Sequence, residues 1–177
     1  MDLHLDTLLN LPNVTVESCT QQPNEVYLKL RFLTEAASCP HCQKISEELH
    51  QNRPILIRDL SVFGQTTYLK VPRRQFYCAN CQRYFTESLP FMNEGRQYTQ
   101  RYEEYIYQQV KQSSIEQVSR AERLTFERVE GIFKHKFTQK KTMDGQELSG
   151  LESMRSASAK GIKTSLQLSE TLKLGNY

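Results

Sequence analysis

Two Cys-x-x-Cys turns constrain this chain more than any other feature. Cys39-Pro40-His41-Cys42 is followed, after 35 residues, by Cys78-Ala79-Asn80-Cys81. Each turn puts two sulfurs on one side of a tight loop. Two such turns facing each other supply four thiolates at tetrahedral angles, the donor set of structural Zn²⁺. Cys39, Cys42, Cys78 and Cys81 are therefore the candidate metal ligands. The alternative is two independent turns carrying free thiols or a redox pair. A redox site needs only one such turn, beside a βαβ pattern, and that pattern is missing. The interval exceeds short-finger spacing, so something folded must sit inside it. His41 lies within the first turn and reads as an exposed loop residue, because four cysteines already complete the set. The fifth cysteine, Cys19, falls in the alternating run from Val14 and reads as a packed strand residue.

The hydrophobic share, 38% of 177 residues, is low for one large core and fits two small modules, one of them held by metal. The net charge of +3 is compatible with nucleic acid but equally with an ordinary soluble protein. The start, Met1-Asp2-Leu3-His4-Leu5-Asp6, lacks the basic segment and apolar run of a signal peptide. No apolar run approaches the ~20 residues that span a membrane. A reducing cytoplasm suits zinc-bound thiolates.

Leu3, Leu5, Leu8, Leu9 and Leu11 form an amphipathic lead-in closed by Pro12. From Asn13 to Leu33 the period becomes two, with a turn at Gln21-Gln22-Pro23-Asn24. Val26, Leu28, Leu30 and Phe32 share one face, so a hairpin with one buried side is predicted. Between the cysteine pairs, Arg53 to Leu60 is one predicted strand, Val62-Phe63-Gly64-Gln65 a turn, and Thr66 to Tyr77 the returning strand. Gln82 to Glu87 is a further short strand. Arg73, Arg74 and Arg83 crowd the second knuckle among Phe76, Tyr77, Tyr84 and Phe85. That mixture suits a nucleic-acid backbone, or else a solvated strand face over a small aromatic core.

After the linker Leu89-Pro90-Phe91-Met92 the pattern turns helical. Tyr98, Tyr102, Tyr105, Ile106 and Val110 fall on one helix face. Ser113 and Glu116 read as a capping box opening a short helix with Ile115, Val118 and Ala121. Thr125 caps a third helix, Phe126 to about Phe137, with Phe126, Val129, Phe133 and Phe137 on one side and Arg128, Gly131 and His135 on the other. Short helix, turn and longer helix with a polar outer face is helix-turn-helix geometry, which places the second helix in the major groove; a plain three-helix bundle is the alternative. In the first reading Arg128 and Lys134 meet base edges or phosphates and His135 donates to a phosphate. Arg120 and Arg123, beside the turn that Thr125 ends, meet the backbone.

Beyond Thr138 aromatics vanish until Tyr177 and serines accumulate, a composition expected to order weakly.

Several runs together resemble a known family. They are Cys39-Pro40-His41-Cys42, Arg58-Asp59-Leu60 with Phe63-Gly64, Arg73-Arg74-Gln75-Phe76-Tyr77-Cys78-Ala79-Asn80-Cys81, and Phe85-Thr86-Glu87. They look like the zinc-binding N-terminus of ISL-three group insertion-sequence transposases, and residues 94–137 are similar to the helix-turn-helix that follows it there. The resemblance spans roughly residues 1–140. It implies binding to the terminal inverted repeats of a mobile element. In that family an RNase H-like domain with three carboxylates and two divalent metals then cuts and joins DNA. The tail, with Asp144, Glu147, Glu152 and Glu170, does not match that domain, and the change near residue 142 is expected to mark a frameshift.

The expectation is thus an α+β chain with three parts. Residues 1–90 form a zinc-ribbon-like β module, 91–140 a three-helix helix-turn-helix module, and 141–177 a poorly ordered tail. The chain is expected to be the DNA-binding portion of a truncated transposase, catalytically inactive by itself. It would carry structural Zn²⁺ and bind double-stranded DNA, as a homo-oligomer or with intact transposase, in a prokaryotic cytoplasm at the nucleoid and away from membranes. Two other readings compete: a zinc-stabilised interaction or regulatory module that does not bind DNA specifically, and an enzyme completed by a partner chain.

Overall fold

The computed structural model describes residues 5–144. The chain divides into two compact units, Met1–Phe133 and Lys134–Tyr177. In order the elements are α1 (Leu5–Leu9), β1 (Val14–Gln22), β2 (Glu25–Phe32), β3 (Ala37–Ser38), β4 (Ile45–Ser46), β5 (Leu49–Asn52), β6 (Ile55–Val62), β7 (Gln65–Val71), β8 (Arg74–Cys78), β9 (Arg83–Thr86), α2 (Gln100–Gln112), α3 (Ile115–Glu122) and α4 (Phe126–Asp144). The expectation for the tail falls, from residue 145 onward, outside the described residues.

The predicted first hairpin is present. β1 and β2 pair antiparallel with Gln22 opposite Glu25, so Pro23 and Asn24 make the turn. Leu28, Leu30 and Phe32 point into the core as the alternation requires. Cys19 is a correction: it lies on β1 but is exposed. The register shift between Val16 and Ser18 breaks the alternation before Cys19, so the outer half of β1 has no buried side.

β6 and β7 form the hairpin inside the cysteine interval, and Phe63 and Gly64 turn it with φ of 50° and 76°. Two successive positive φ values match the twist of a tight hairpin, and glycine takes the second at no steric cost. This hairpin joins the first one. The sheet order is β1-β2-β7-β6, with β2 and β7 parallel. Its inner face is closed by Leu9, Leu89 and Phe91.

The predicted returning strand Thr66 to Tyr77 is in fact two strands in two sheets. β7 ends at Val71 and β8 starts at Arg74, where it pairs with β5 and β9. Pro72 interrupts the run because it has no N–H for the ladder. Arg53 and Arg73 exchange backbone hydrogen bonds of 3.0 and 3.2 Å across the change of sheet.

The helical predictions hold in outline and shift in detail. Thr99 caps α2, accepting from the Tyr102 amide. Ser114, rather than Ser113, caps α3 and accepts from the Gln117 amide; Ser113 instead ends α2. Thr125 does cap α4, accepting from the Arg128 amide at 3.4 Å. Phe126 and Ala121, expected inside, are exposed, and Ile132, overlooked by the pattern, is fully buried with Val129.

Two ion pairs tie β6 to the helices. Asp59 on β6 receives Arg101 of α2 and the Thr99 hydroxyl (2.7 Å), while Arg101 also donates to the Leu9 carbonyl at 2.6 Å. The neighbouring Arg58 donates to Glu122 of α3 at 3.0 Å and lies over the Tyr102 ring, whose hydroxyl donates to the same carboxylate.

Candidate metal centre and nucleic-acid interface

The first knuckle hangs between β3 and β4, and the second between β8 and β9. Each closes with a glutamine in the left-handed region just after its second cysteine: Gln43 at φ 59° and Gln82 at φ 52°. The first turn is held by the Gln43 amide on the Cys39 carbonyl (2.8 Å) and the Cys39 amide on the Lys44 carbonyl (2.9 Å). The Lys44 ammonium donates to the Asn80 side chain at 2.8 Å and so joins the knuckles. Beneath them Ala37, Phe76 and Phe85 pack with Cys39 and Cys78 in a small core of their own.

All four Sγ atoms lie within 4.8 Å of one another. Cys39 and Cys81 are 3.9 Å apart and Cys42 and Cys78 3.6 Å. A tetrahedron of Zn–S bonds of about 2.3 Å has edges of about 3.8 Å, so the arrangement fits a metal of that size and softness. Electrostatics agree. The backbone amide of Lys44, helped by the Cys81 thiol, lowers Cys42 to about 6. Hydrogen bonding to Cys42 raises Cys81 to about 12. Thiolates this close repel one another, and a cation among them would relieve that repulsion. The cluster is able to bind metal, and among the described residues it is the group with that capacity. His41 stands outside it, exposed.

The predicted DNA-contacting residues do not share one environment. Arg73 and Arg83 are exposed beside the second knuckle. Arg74 is a correction, because it is buried. Its guanidinium makes two 2.7 Å bonds to the Glu87 carboxylate and a third to the Thr34 carbonyl, over the Phe32 and Phe76 rings. A side chain so committed is not offered to a phosphate. Burial also separates the aromatics: Phe76 and Phe85 form core, while Tyr84 is exposed and packs on His50 and Tyr77.

In the first unit Arg120 at the end of α3, Arg123 and Thr125 in the turn, and Arg128 on α4 are all exposed. Arg123 carries the sharp turn in the left-handed conformation (φ 53°, ψ 41°). In the second unit Lys134 is exposed and His135 half-buried. Sequence reasoning assigned no role to Arg58, Asp59, Arg101 and Glu122, which hold the helices; nothing in their local pattern marks a buried charge.

A sheet-borne thiol cluster able to bind metal and a turn between two helices with exposed arginines around it are features of the DNA-binding class. The comparisons agree. Residues 35–81 match the model described as the zinc-finger of transposase IS204/IS1001/IS1096/IS1165, and residues 87–135 the helix-turn-helix domain of transposase family ISL3. Together the matches cover more than half of the chain, which belongs to this transposase family. Neither a curated protein nor a solved structure matches it. No helix of the described residues is long and apolar enough to cross a membrane.

Proposed function

We propose that this chain recognises the terminal inverted repeats of an insertion sequence as the DNA-binding part of a transposase. The observation that carries the reading is the turn Arg123-Leu124-Thr125 between α3 and α4, with Arg120, Arg123 and Arg128 exposed around it. In this reading α4 enters the major groove and Arg128 reaches a base edge, while Arg120 and Arg123 hold phosphates. Thr125 sets the start of the reading helix, and Lys134 and His135 extend it. Arg73 and Arg83 contact the backbone from the ribbon.

Zn²⁺ on Cys39, Cys42, Cys78 and Cys81 supplies folding energy and takes no part in chemistry on DNA. Residues 1–90 and 91–140 are the functional division, metal module and reader. Cutting and joining strands is not the work of these modules. The protein acts at the nucleoid as a homo-oligomer or beside intact transposase.

The test is binding of the zinc-loaded protein to an inverted-repeat duplex and to a scrambled duplex over a salt series. Preference for the repeat, with affinity falling steeply as salt rises, supports the reading. Equal, salt-insensitive association would favour an interaction module instead. Metal-dependent nicking of the duplex by this chain alone would overturn the assignment of catalysis elsewhere.

A further inference from the structure

The outer face of the four-stranded sheet has no part in the reading above. Its chemistry is uneven. Tyr27 and Tyr68 stand opposite each other on the parallel strands β2 and β7, and two residues on Lys29 stands opposite Lys70. The tyrosine rings stack at 5.2 Å. Like charges placed directly opposite one another weaken a sheet, so the lysine pair is not explained by the stability of the fold. Lys29 has a partial answer in Glu17 at 3.0 Å, but that pair is about half exposed and worth little. Lys70 and Arg31 are exposed and make no ion pair among the described residues.

The two lysines line a groove of about 290 Å³ with Ser18, Thr20, Gln22 and Tyr27. Every side chain of that lining carries a hydrogen-bond donor, and none is a carboxylate. A second groove of about 230 Å³ shares Lys29 and Lys70 and reaches Arg31, with Glu17 as its one acid. Glu25, also on this face, accepts from the Tyr27 hydroxyl and keeps its negative charge, so the lysines and Arg31 outnumber the two acids by one. Lysine, arginine, tyrosine, serine and threonine side chains are the usual donors to DNA phosphates.

We infer that this sheet face is a second DNA-contacting surface, which holds the phosphodiester backbone of duplex flanking the segment read by the helices. It rests on the DNA-binding reading proposed above. In this inference its contacts go to phosphates, and base recognition stays with the helices. Its effect is to lengthen the footprint and steepen the dependence on salt.

Lys70→Gln and Arg31→Gln, singly and together, remove two exposed cations that make no ion pair among the described residues, without touching the core or the helices. The zinc-loaded full chain is titrated with a duplex just long enough for the helix-turn-helix and with one extended by about two helical turns; circular dichroism checks the fold. The unaltered chain should prefer the extended duplex. The double variant should lose that gain, about tenfold, and flatten the salt slope by about 0.9 per cation removed. Its binding to the short duplex should not change. Unchanged affinity and slope on the extended duplex would overturn the inference, and so would equal losses on both lengths. Inorganic phosphate at the same ionic strength should compete weakly; its displacing the extended duplex at micromolar concentration would identify a free-anion site instead. If Arg128→Ala leaves sequence preference intact while the sheet variants behave as expected, the proposed reading of the repeat fails and the sheet surface stands.

Discussion

Arg58 on β6 and Glu122 on α3 form an ion pair of 3.0 Å whose side chains are 7% and 13% exposed. With Asp59 and Arg101 beside it, this pair ties α2 and α3 to the sheet by charge. Removing one partner strands the other. Arg58→Ala or Glu122→Ala should therefore cost about 3 kcal/mol, the low end of the usual range, since the Arg58 Nε already lacks a partner among the described residues. Urea unfolding of the single variants and of a paired Met/Leu replacement checks this. The paired replacement should cost less than either single change.

Metal removal should act first on the ribbon. Its core is only Ala37, Phe76 and Phe85 with the cysteines, too small to close without the cation. Metal analysis should find one Zn²⁺ per chain. Chelation, or Cys39→Ser or Cys78→Ser, should unfold β3, β4, β5, β8 and β9. The sheet built on Leu30, Ile57 and Leu69 should retain slow amide exchange.

The three arginines of the second knuckle should separate cleanly. Arg74→Lys loses the fork onto Glu87, which a lysine cannot reproduce, and should lower stability by about 1–3 kcal/mol. Arg73→Ala and Arg83→Ala should leave stability within about 0.5 kcal/mol and reduce DNA affinity together with its salt slope. Thermal melts paired with titrations of the same samples distinguish the two outcomes.

Arg123 carries a left-handed backbone that favours glycine. Arg123→Gly should therefore preserve or raise the melting temperature while weakening DNA binding about equally for all sequences, because a phosphate contact is lost. Arg128→Ala should instead reduce discrimination by about 1–3 kcal/mol.

Acid should loosen the N-terminus. The Asp6 carboxylate accepts from the Thr15 hydroxyl and the Val16 amide, and these two bonds lower its pKa below 3.8. A depressed carboxylate contributes stability at pH values above its unfolded pKa and loses it as pH falls through the folded value. Between about pH 5 and 3, Asp6→Asn should show a shallower fall in unfolding free energy than the unaltered chain.

Much of this was legible in the sequence because it is local. The Cys-x-x-Cys turns, the period-two runs and the Thr125 cap depend on residues a few positions apart. The largest miss was non-local. Arg74 reads as one of three knuckle arginines until Glu87 and Thr34 are brought to it from 13 and 40 positions away. Ser113 and Ser114 are equivalent caps by type, and because α2 ends on Ser113 it is Ser114 that caps α3. Cys19 follows the alternation of β1 up to the bulge that cancels it.

The sequence alone determined that four thiols would be offered to a metal and that two helices would flank a turn, since turn chemistry and side-chain period are set by neighbours along the chain. Only the tertiary structure decided that the hairpin inside the cysteine interval joins the first hairpin in one sheet. It alone decided, too, that Arg58 and Asp59 are buried docking charges rather than surface. A charge can enter the interior only when a distant partner of opposite sign meets it there, and no window of sequence contains that partner.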